Sequence, residues 1–116
     1  MAIPLSRLLP IWERDILAGV RIVALRTVRE FWKRHPEAEQ ALRAWFHDAR
    51  RAAWGSPTDI KRTYANASII GRNRVVFNIK GNRYLLVLAI NYGYQICYIR
   101  FVGTHEAYDQ VDAEHV

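Results

Sequence analysis

The chain has 116 residues, of which 51% are apolar and 24% charged, so it is long enough to bury one hydrophobic core and lacks the composition of a disordered protein. Its single cysteine, Cys97, excludes an internal disulfide and a multi-cysteine metal site, and its longest apolar run, 84–90, is too short to cross a bilayer. We therefore expect a cytoplasmic protein without membrane association.

Positive charge is concentrated in one interval of the chain. The net charge of +6 comes from 17 basic and 11 acidic residues, yet no aspartate or glutamate occurs between Ile60 and His105. The basic residues of this interval are Lys61, Arg62, Arg72, Arg74, Lys80, Arg83 and Arg100. This distribution indicates a surface that binds a polyanion, because charges on a surface without a ligand are normally of mixed sign. The alternative interpretation is a basic surface with no ligand.

Residues 1–19 are interpreted as an N-terminal extension of a domain that covers 20–116. Two prolines and a charged cluster at 13–15 interrupt the segment, which lacks the basic start and apolar core of a secretory signal. We predict a short helix at 11–17 that packs on the domain or on a partner. A further hypothesis is that the functional chain begins near Val20.

A helical hairpin is predicted after a short strand at 20–24. Apolar residues recur with helical spacing over 25–34, and His35 ends this helix because the residue before a proline is pushed out of the helical region. The proline suits the first position of a second helix, whose apolar face extends to Ala53.

A short connecting helix is predicted next. Ser56 and Asp59 have the spacing of a capping box around a proline, so a helix should run from there to about Tyr64. It carries Lys61 and Arg62. Its role is either to position a loop over a site or to serve as a plain linker.

The C-terminal half predicts three strands. Apolar and polar residues alternate over 72–80, Gly81 and Asn82 form a two-residue hairpin signal, and the run at 84–90 is apolar on both faces. We therefore expect a central strand at 84–90, preceded by one neighbour and followed by a third strand at 95–102.

A short helix is predicted at the end of the third strand. Thr104 can cap it, and the spacing places His105, Tyr108 and Asp109 on one side of the helix. The predicted fold class is α+β, with a small antiparallel sheet of three to four strands, an N-terminal helical hairpin packed on it and this short C-terminal helix.

The basic interval holds the residue types that RNA cleavage without a metal requires. The 2′-hydroxyl must lose a proton, the charge on the phosphate must be stabilised, and the leaving 5′-oxygen must gain a proton. His105 or Tyr108 is a candidate for proton transfer. Candidates for the phosphate contact are Arg72, Arg74, Lys80, Arg83 and Arg100. We expect no cofactor and no metal, because the interval contains no acids.

Each of these assignments has a structural alternative. His105 can be a plain surface residue, and Asp109 either orients it or is a surface acid. Candidates for stacking an unpaired base are Tyr84, Tyr92, Tyr94 and Tyr98, although Tyr84 and Tyr98 are also expected to pack in the core. His35 and His47 are interpreted as structural or solvated, and Cys97 as a small core residue.

Two long runs carry a resemblance to a known family. The run VVFNIKGNRY at 75–84 and the run IRFVGTHEAYD at 99–109 strongly resemble the HigB family of toxins from bacterial type II toxin–antitoxin modules, within the RelE-like superfamily. The stretches at 21–32 and 56–61 fit the same pattern. The resemblance covers roughly 20–112.

This resemblance implies a RelE-like fold and an mRNA endonuclease, and many members of the family cut transcripts in the ribosomal decoding site. It also implies silencing by a helix-turn-helix antitoxin, HigA, through which alone the toxin reaches operator DNA. The matching motif positions are Lys80, Asn82, Arg83, Arg100, His105 and Tyr108. We therefore expect a catalytic set of Lys80, Arg83, Arg100, His105 and Tyr108 and an RNA-binding set of Lys61, Arg62, Arg72, Arg74 and Asn82.

The sequence departs from the family pattern at two places. The extension 1–19 lies outside it, and Leu85 stands where the family often has a basic residue, which removes one possible phosphate contact. The competing hypothesis is a degenerate toxin without catalytic activity. It would either bind RNA or the ribosome, or act only together with the antitoxin as a co-repressor. Convergence of His105, Tyr108 and the arginines on one concave face would favour the enzyme.

Overall fold

A single β-sheet organises residues 20–116, the part of the chain that the structure, a computed structural model, describes. Its strands are β1 (Arg21–Val23), β2 (Ser68–Ile70), β3 (Arg74–Ile79), β4 (Tyr84–Asn91) and β5 (Ile96–Thr104). The helices are α1 (Leu25–Arg34), α2 (Glu39–Ala49), α3 (Pro57–Thr63) and α4 (His105–Tyr108), with a 3₁₀ turn at Pro36–Ala38. The extension 1–19, with its predicted helix at 11–17, lies outside the described residues.

The sheet is mixed and runs in the order β1-β5-β4-β3-β2. β1 pairs parallel with β5, and the other pairings are antiparallel. The α+β class is confirmed, but the predicted three to four strands are too few and the sheet is not wholly antiparallel. The unpredicted strand is β2, whose three residues at the sheet edge are too few to show an alternating pattern.

The helical hairpin packs on one face of the sheet. α1 has the predicted bounds, buries Val28 and Phe31, and ends at Arg34, because His35, the residue before Pro36, leaves the helical conformation. The second helix begins as the 3₁₀ turn and continues as α2, which buries Leu42 and Trp45. The indole of Trp45 meets the ring of Phe77 on β3 edge to face, with the ring centroids 5.5 Å apart.

The connecting helix α3 forms where it was predicted, but its cap differs. The Ser56 side chain makes no capping hydrogen bond. Instead, the Gly55 N–H donates to Oδ2 of Asp59 at 2.9 Å. Asp59 therefore accepts from the N–H of Gly55 and not, as a capping box requires, from the N–H of Ser56. The prediction that the Ser56 side chain caps the helix is wrong.

β4 is the central strand, as predicted, and its residues 84–90 are buried. On the helix side the core includes Cys97, which confirms its prediction as a core residue, and burial raises the pKa of its thiol to about 12. On the other face a smaller cluster, formed by Val76, Leu85, Val87 and Ala113, packs under the C-terminal residues. The sheet therefore has a large core on one side and a small one on the other.

Candidate active site

A cavity of about 370 Å³ opens at one end of the sheet. Its lining residues are His35, Glu37, Arg83, Tyr84, Thr104, His105 and Glu106. Three segments that are distant in sequence meet here: the end of α1 with the 3₁₀ turn, the turn between β3 and β4, and the junction of β5 with α4. The cavity combines two imidazoles, a guanidinium and two carboxylates.

Strand register places the last two segments side by side. Tyr84 pairs with Ile79 on one side and with Thr104 on the other, so the β3–β4 turn lies next to the start of α4. The predicted turn at Gly81 and Asn82 is confirmed at its centre, but residues 80–83 all belong to the turn and not to the strands. Lys80 and Gly81 have φ angles of 54° and 67° there, a region that glycine adopts without strain.

The junction of β5 with α4 is held by a side-chain cap and by a close contact. As predicted, Thr104 caps α4, since its hydroxyl oxygen accepts a hydrogen bond from the Ala107 N–H at 3.1 Å. One residue earlier, a Cβ on Gly103 would lie 2.6 Å from Cζ of Phe101. Any larger residue at this position would therefore force either the Phe101 ring or the strand end that carries His105 to shift.

His35, Glu37 and Tyr84 form a wall on the other side of the cavity. The ring of His35 stacks on Phe31 with centroids 4.4 Å apart, and its Nδ1 lies 4.0 Å from Oε1 of Glu37. The Tyr84 hydroxyl donates to the same carboxylate oxygen. Nζ of Lys80 donates to the main-chain carbonyl of Glu37 at 3.1 Å and so fastens the 3₁₀ turn to the β3–β4 turn.

The hydrogen bond between Tyr84 and Glu37 shifts both pKa values. It is the main reason that the pKa of the Glu37 carboxyl lies below its ordinary value, with smaller contributions from the nearby charges of His35 and Arg83. The same bond, together with burial, raises the pKa of the Tyr84 hydroxyl. Glu37 is thus held as an anion that accepts hydrogen bonds, and Tyr84 as a neutral donor.

The His105 side chain contacts two residues one turn further along the chain, Tyr108 and Asp109. Its Nδ1 lies 3.6 Å from Oδ2 of Asp109. The ring of Tyr108 lies 6.4 Å from the His105 ring and 6.3 Å from the ring of Phe101, between centroids. All three predicted side chains therefore share one side of α4, but Tyr108 is not part of the cavity lining and packs towards the smaller core.

Comparison with known protein families identifies the chain. The model of the HigB toxin family, described as the RelE-like toxic component of a toxin–antitoxin system, matches residues 38–111, more than half of the chain. The chain belongs to the HigB toxin family. Membership confirms the resemblance drawn from the two long motifs, makes the chain the toxin of a toxin–antitoxin system and implies an antitoxin partner. A comparison with curated proteins gives no match.

The remaining residues predicted from the HigB motifs are not all gathered at the cavity. Asn82 is exposed in the turn beside Arg83. Arg100 lies in the middle of β5, with its guanidinium carbon 5.7 Å from the ring centroid of Tyr98, and does not line the cavity. The cavity thus joins Arg83 with His105, has Lys80 tied to its wall and excludes Arg100 and Tyr108.

The other predicted RNA-binding residues have local partners elsewhere. Lys61 donates to the carbonyls of Ala65 and Ala67, the latter at 2.7 Å, and Arg62 forms a salt bridge with Asp59 at 3.2 Å. Arg72 and Arg74 lie at the opposite end of β3, which is about 16 Å away at about 3.3 Å per residue. There Arg74 donates to the carbonyls of Arg72 at 3.1 Å and of Val116 at 2.9 Å.

The cavity residues that were not predicted from the sequence include His35 and Glu37. His35 was interpreted as structural or solvated because it stands before a proline at a helix end. No local pattern indicates that a residue at 35 meets residues at 83 and 105, because their proximity results from packing of α1 on the sheet. The family match begins at residue 38 and therefore does not include either residue.

A larger groove of about 780 Å³ lies between α1 and α2. Its described lining residues include Trp32, Phe46, His47 and several cations, and the guanidinium carbon of Arg43 lies 4.8 Å from the centroid of the Trp32 ring. The smaller cavity is the better candidate for proton transfer at a phosphate, because it combines two imidazoles with Arg83. The larger groove has cationic and aromatic groups that are suited to binding.

Two findings concern metals and membranes. Among residues 20–116, no group of three or more His, Cys, Asp or Glu side chains is arranged to hold a metal ion. Within the same residues, no helix combines the length and the hydrophobicity needed to cross a membrane.

Proposed function

We propose that the chain is a cytoplasmic, metal-independent endoribonuclease that cleaves mRNA, on the ribosome, and leaves a 2′,3′-cyclic phosphate and a 5′-hydroxyl. The observation that carries this proposal is the cavity in which Arg83 and His105 lie together. Arg83 makes no salt bridge with a described residue, so its guanidinium is available for a phosphate. HigB family membership supports the part of this proposal that makes the chain a RelE-like toxin.

In the proposed reaction Arg83 binds the scissile phosphate and His105 moves a proton. Asp109 and Tyr108 position the His105 ring from its own helix, and Lys80 supports the wall by holding the carbonyl of Glu37. Arg100 and Asn82 lie outside the cavity and are proposed to contact RNA on either side of the cut. Removing a proton-transfer group of this kind typically lowers the rate by about 10²- to 10⁴-fold.

The antitoxin partner is proposed to be a HigA-type helix-turn-helix protein. It would neutralise the toxin and would be the part of the complex that binds operator DNA. We expect a helix-turn-helix protein to be encoded beside this chain, and its co-expression should restore growth to cells that express the toxin. Growth arrest that persists despite formation of the complex would contradict neutralisation.

Expression in growing cells tests the enzymatic proposal. The wild type should arrest growth and fragment mRNA, and either His105→Ala or Arg83→Ala should relieve both effects. His115→Ala, which changes a histidine at the opposite end of the sheet, should remain toxic. Equal toxicity of all four proteins would reject this site, and loss of cleavage on chelation would reject a metal-independent reaction.

The second candidate function is a non-catalytic module that binds RNA or the ribosome. The groove between α1 and α2 favours it, because cations beside Trp32 suit an RNA backbone and an unpaired base. In this case RNA would bind with a salt slope of about −0.7 per phosphate neutralised but would stay intact. Binding without cleavage, unchanged in Arg83→Ala, would favour the module over the enzyme.

A further inference from the structure

We propose that His35 is the second proton-transfer residue of the cavity and works with His105 as an acid–base pair. This inference rests on the proposed ribonuclease function and adds a residue that lies before the family match. Both imidazoles line the same cavity, from opposite elements: His35 follows α1 and His105 begins α4.

The chemistry requires two groups. In-line displacement at phosphorus puts the attacking 2′-oxygen and the leaving 5′-oxygen on opposite sides of the phosphorus atom. As the 2′-O–P bond forms, one group takes the proton of the 2′-hydroxyl; as the P–O5′ bond breaks, another gives a proton to the 5′-oxygen. Protons and electrons balance without a co-reactant. Imidazole serves both tasks near neutral pH.

Tyr108 is less well placed for the second task than His35. Its ring packs between His105 and Phe101, towards the smaller core, and is absent from the cavity lining. His35 is half-buried, and its ring is fixed by the stack on Phe31. A ring held in this way faces a bound phosphate without losing much conformational freedom on binding.

Glu37 is the proposed positioning residue for His35. Its carboxylate lies 4.0 Å from Nδ1, and it is itself held by the Tyr84 hydroxyl and, through its main chain, by Lys80. A carboxylate beside one ring nitrogen orients the imidazole so that the other nitrogen is presented to the substrate. The charged and titratable groups that share the cavity with His35 are Glu37, Arg83, Tyr84, His105 and Glu106.

The test is single-turnover cleavage of a short RNA by the full chain. His35→Ala should lower the rate by about 100-fold or more, as expected for loss of a proton-transfer group. The control is His115→Ala, at the opposite end of the sheet beside Arg72, which should cleave at the wild-type rate. His35→Phe keeps an aromatic ring on Phe31 but transfers no proton, so it should be as slow as His35→Ala if both variants are folded. A His35→Phe rate close to wild type would overturn the proposal.

A second substrate separates catalysis from packing. When sulfur replaces the bridging 5′-oxygen, the leaving thiolate needs no proton, so loss of the general acid no longer matters. We expect this RNA to restore the rate of one of the two variants, His35→Ala or His105→Ala, and not the other. Restoration of both or of neither would contradict an acid–base pair.

The outcomes distinguish this inference from the function on which it rests. If the wild type cleaves, His105→Ala does not, and His35→Ala cleaves normally, the inference fails and the ribonuclease stands. If the wild type cleaves neither RNA, both fail. Glu37→Gln gives an intermediate check, because a positioning residue should lower the cleavage rate and alter its pH profile without abolishing cleavage.

Discussion

The two ends of the sheet carry similar basic residues but use them differently. At the β2–β3 turn, Arg74 donates to the carbonyls of Arg72 and Val116, and Nη1 of Arg72 lies 3.2 Å from Nε2 of His115. At the β3–β4 turn, Lys80 is also tied to a carbonyl, but Arg83 faces a cavity with His105. The basic side chains at the β2–β3 turn, the closed end, bind other parts of the same chain, whereas Arg83 at the β3–β4 turn, the open end, lines a cavity that a ligand can enter.

This difference shows that net charge alone does not locate a phosphate site. A guanidinium that already donates to main-chain carbonyls must break those bonds to reach RNA, whereas Arg83 makes no side-chain hydrogen bond or salt bridge with residues 20–116 that it would have to break. The acid-free interval predicted from the sequence therefore contains two kinds of cation. Those that close turns stabilise the fold, and Arg83 is the one that lines a cavity together with His105.

The largest effect on stability is expected from Gly103→Ala, which alters the cavity end. The added Cβ would lie 2.6 Å from the Phe101 ring, and overpacking of this kind typically costs about 1–3 kcal/mol. Gly93→Ala is the matched control, because its Cβ would meet only Asn91 Oδ1, at 3.5 Å. Urea unfolding of both variants gives the two costs, and equal stability would show that the ring of Phe101 moves aside.

Arg74→Ala probes the closed end. It removes an exposed hydrogen bond to Arg72 and a partly buried one to Val116, and leaving a buried group without its partner costs about 1–3 kcal/mol. The free energy of unfolding should fall by this amount in urea. Arg83→Ala should change it by less than about 0.5 kcal/mol, as is usual for an exposed side chain. A larger loss in Arg83→Ala would assign Arg83 to the fold.

Thr104→Ala should have a smaller effect, again at the cavity end. It removes the acceptor for the Ala107 N–H, and loss of such a cap costs about 1 kcal/mol. Thr104→Ser keeps the hydroxyl and should retain wild-type stability. The two thermal midpoints provide the measurement, and a Thr104→Ser variant as unstable as Thr104→Ala would mean that the methyl group, and not the cap, is what matters.

The smallest effect is a dependence on pH that Tyr84→Phe should remove. Because the pKa of Glu37 is lowered from its ordinary 4.5, its bond to Tyr84 stabilises the fold above that pH, and this contribution is lost as the pH falls through the lowered value. The raised pKa of Tyr84 implies a further loss above pH 10. Urea midpoints of wild type and Tyr84→Phe should therefore converge in acid; a constant difference would contradict the linkage.

Local pattern was sufficient for much of the fold. Helical periodicity and the proline after His35 set both ends of α1, and the apolar run at 84–90 identified the central strand. The edge strand β2 was missed because three residues show no period. The parallel pairing of β1 with β5 depends on contacts between distant parts of the chain.

The site was predictable only in part, for a related reason. His105 and Arg83 lie in motifs that can be read along the chain, but the wall formed by His35 and Glu37 exists only once α1 packs on the sheet. Likewise, the sequence shows that Arg74 is basic but not that its guanidinium reaches the carbonyl of Val116. Residue type and spacing gave the candidate residues. Tertiary packing then separates those that line the cavity from those that bind main-chain oxygens elsewhere.

The most direct test compares Arg83→Ala with Arg74→Ala in single-turnover cleavage of the same RNA. If the open end of the sheet is the active site, Arg83→Ala should cleave about 100-fold or more slowly, as when one electrostatic contact to the reacting group is removed. Arg74→Ala, measured where it remains folded, should cleave at close to the wild-type rate. Equal loss in both variants, or a loss confined to Arg74→Ala, would contradict the assignment of the site to the cavity of Arg83 and His105.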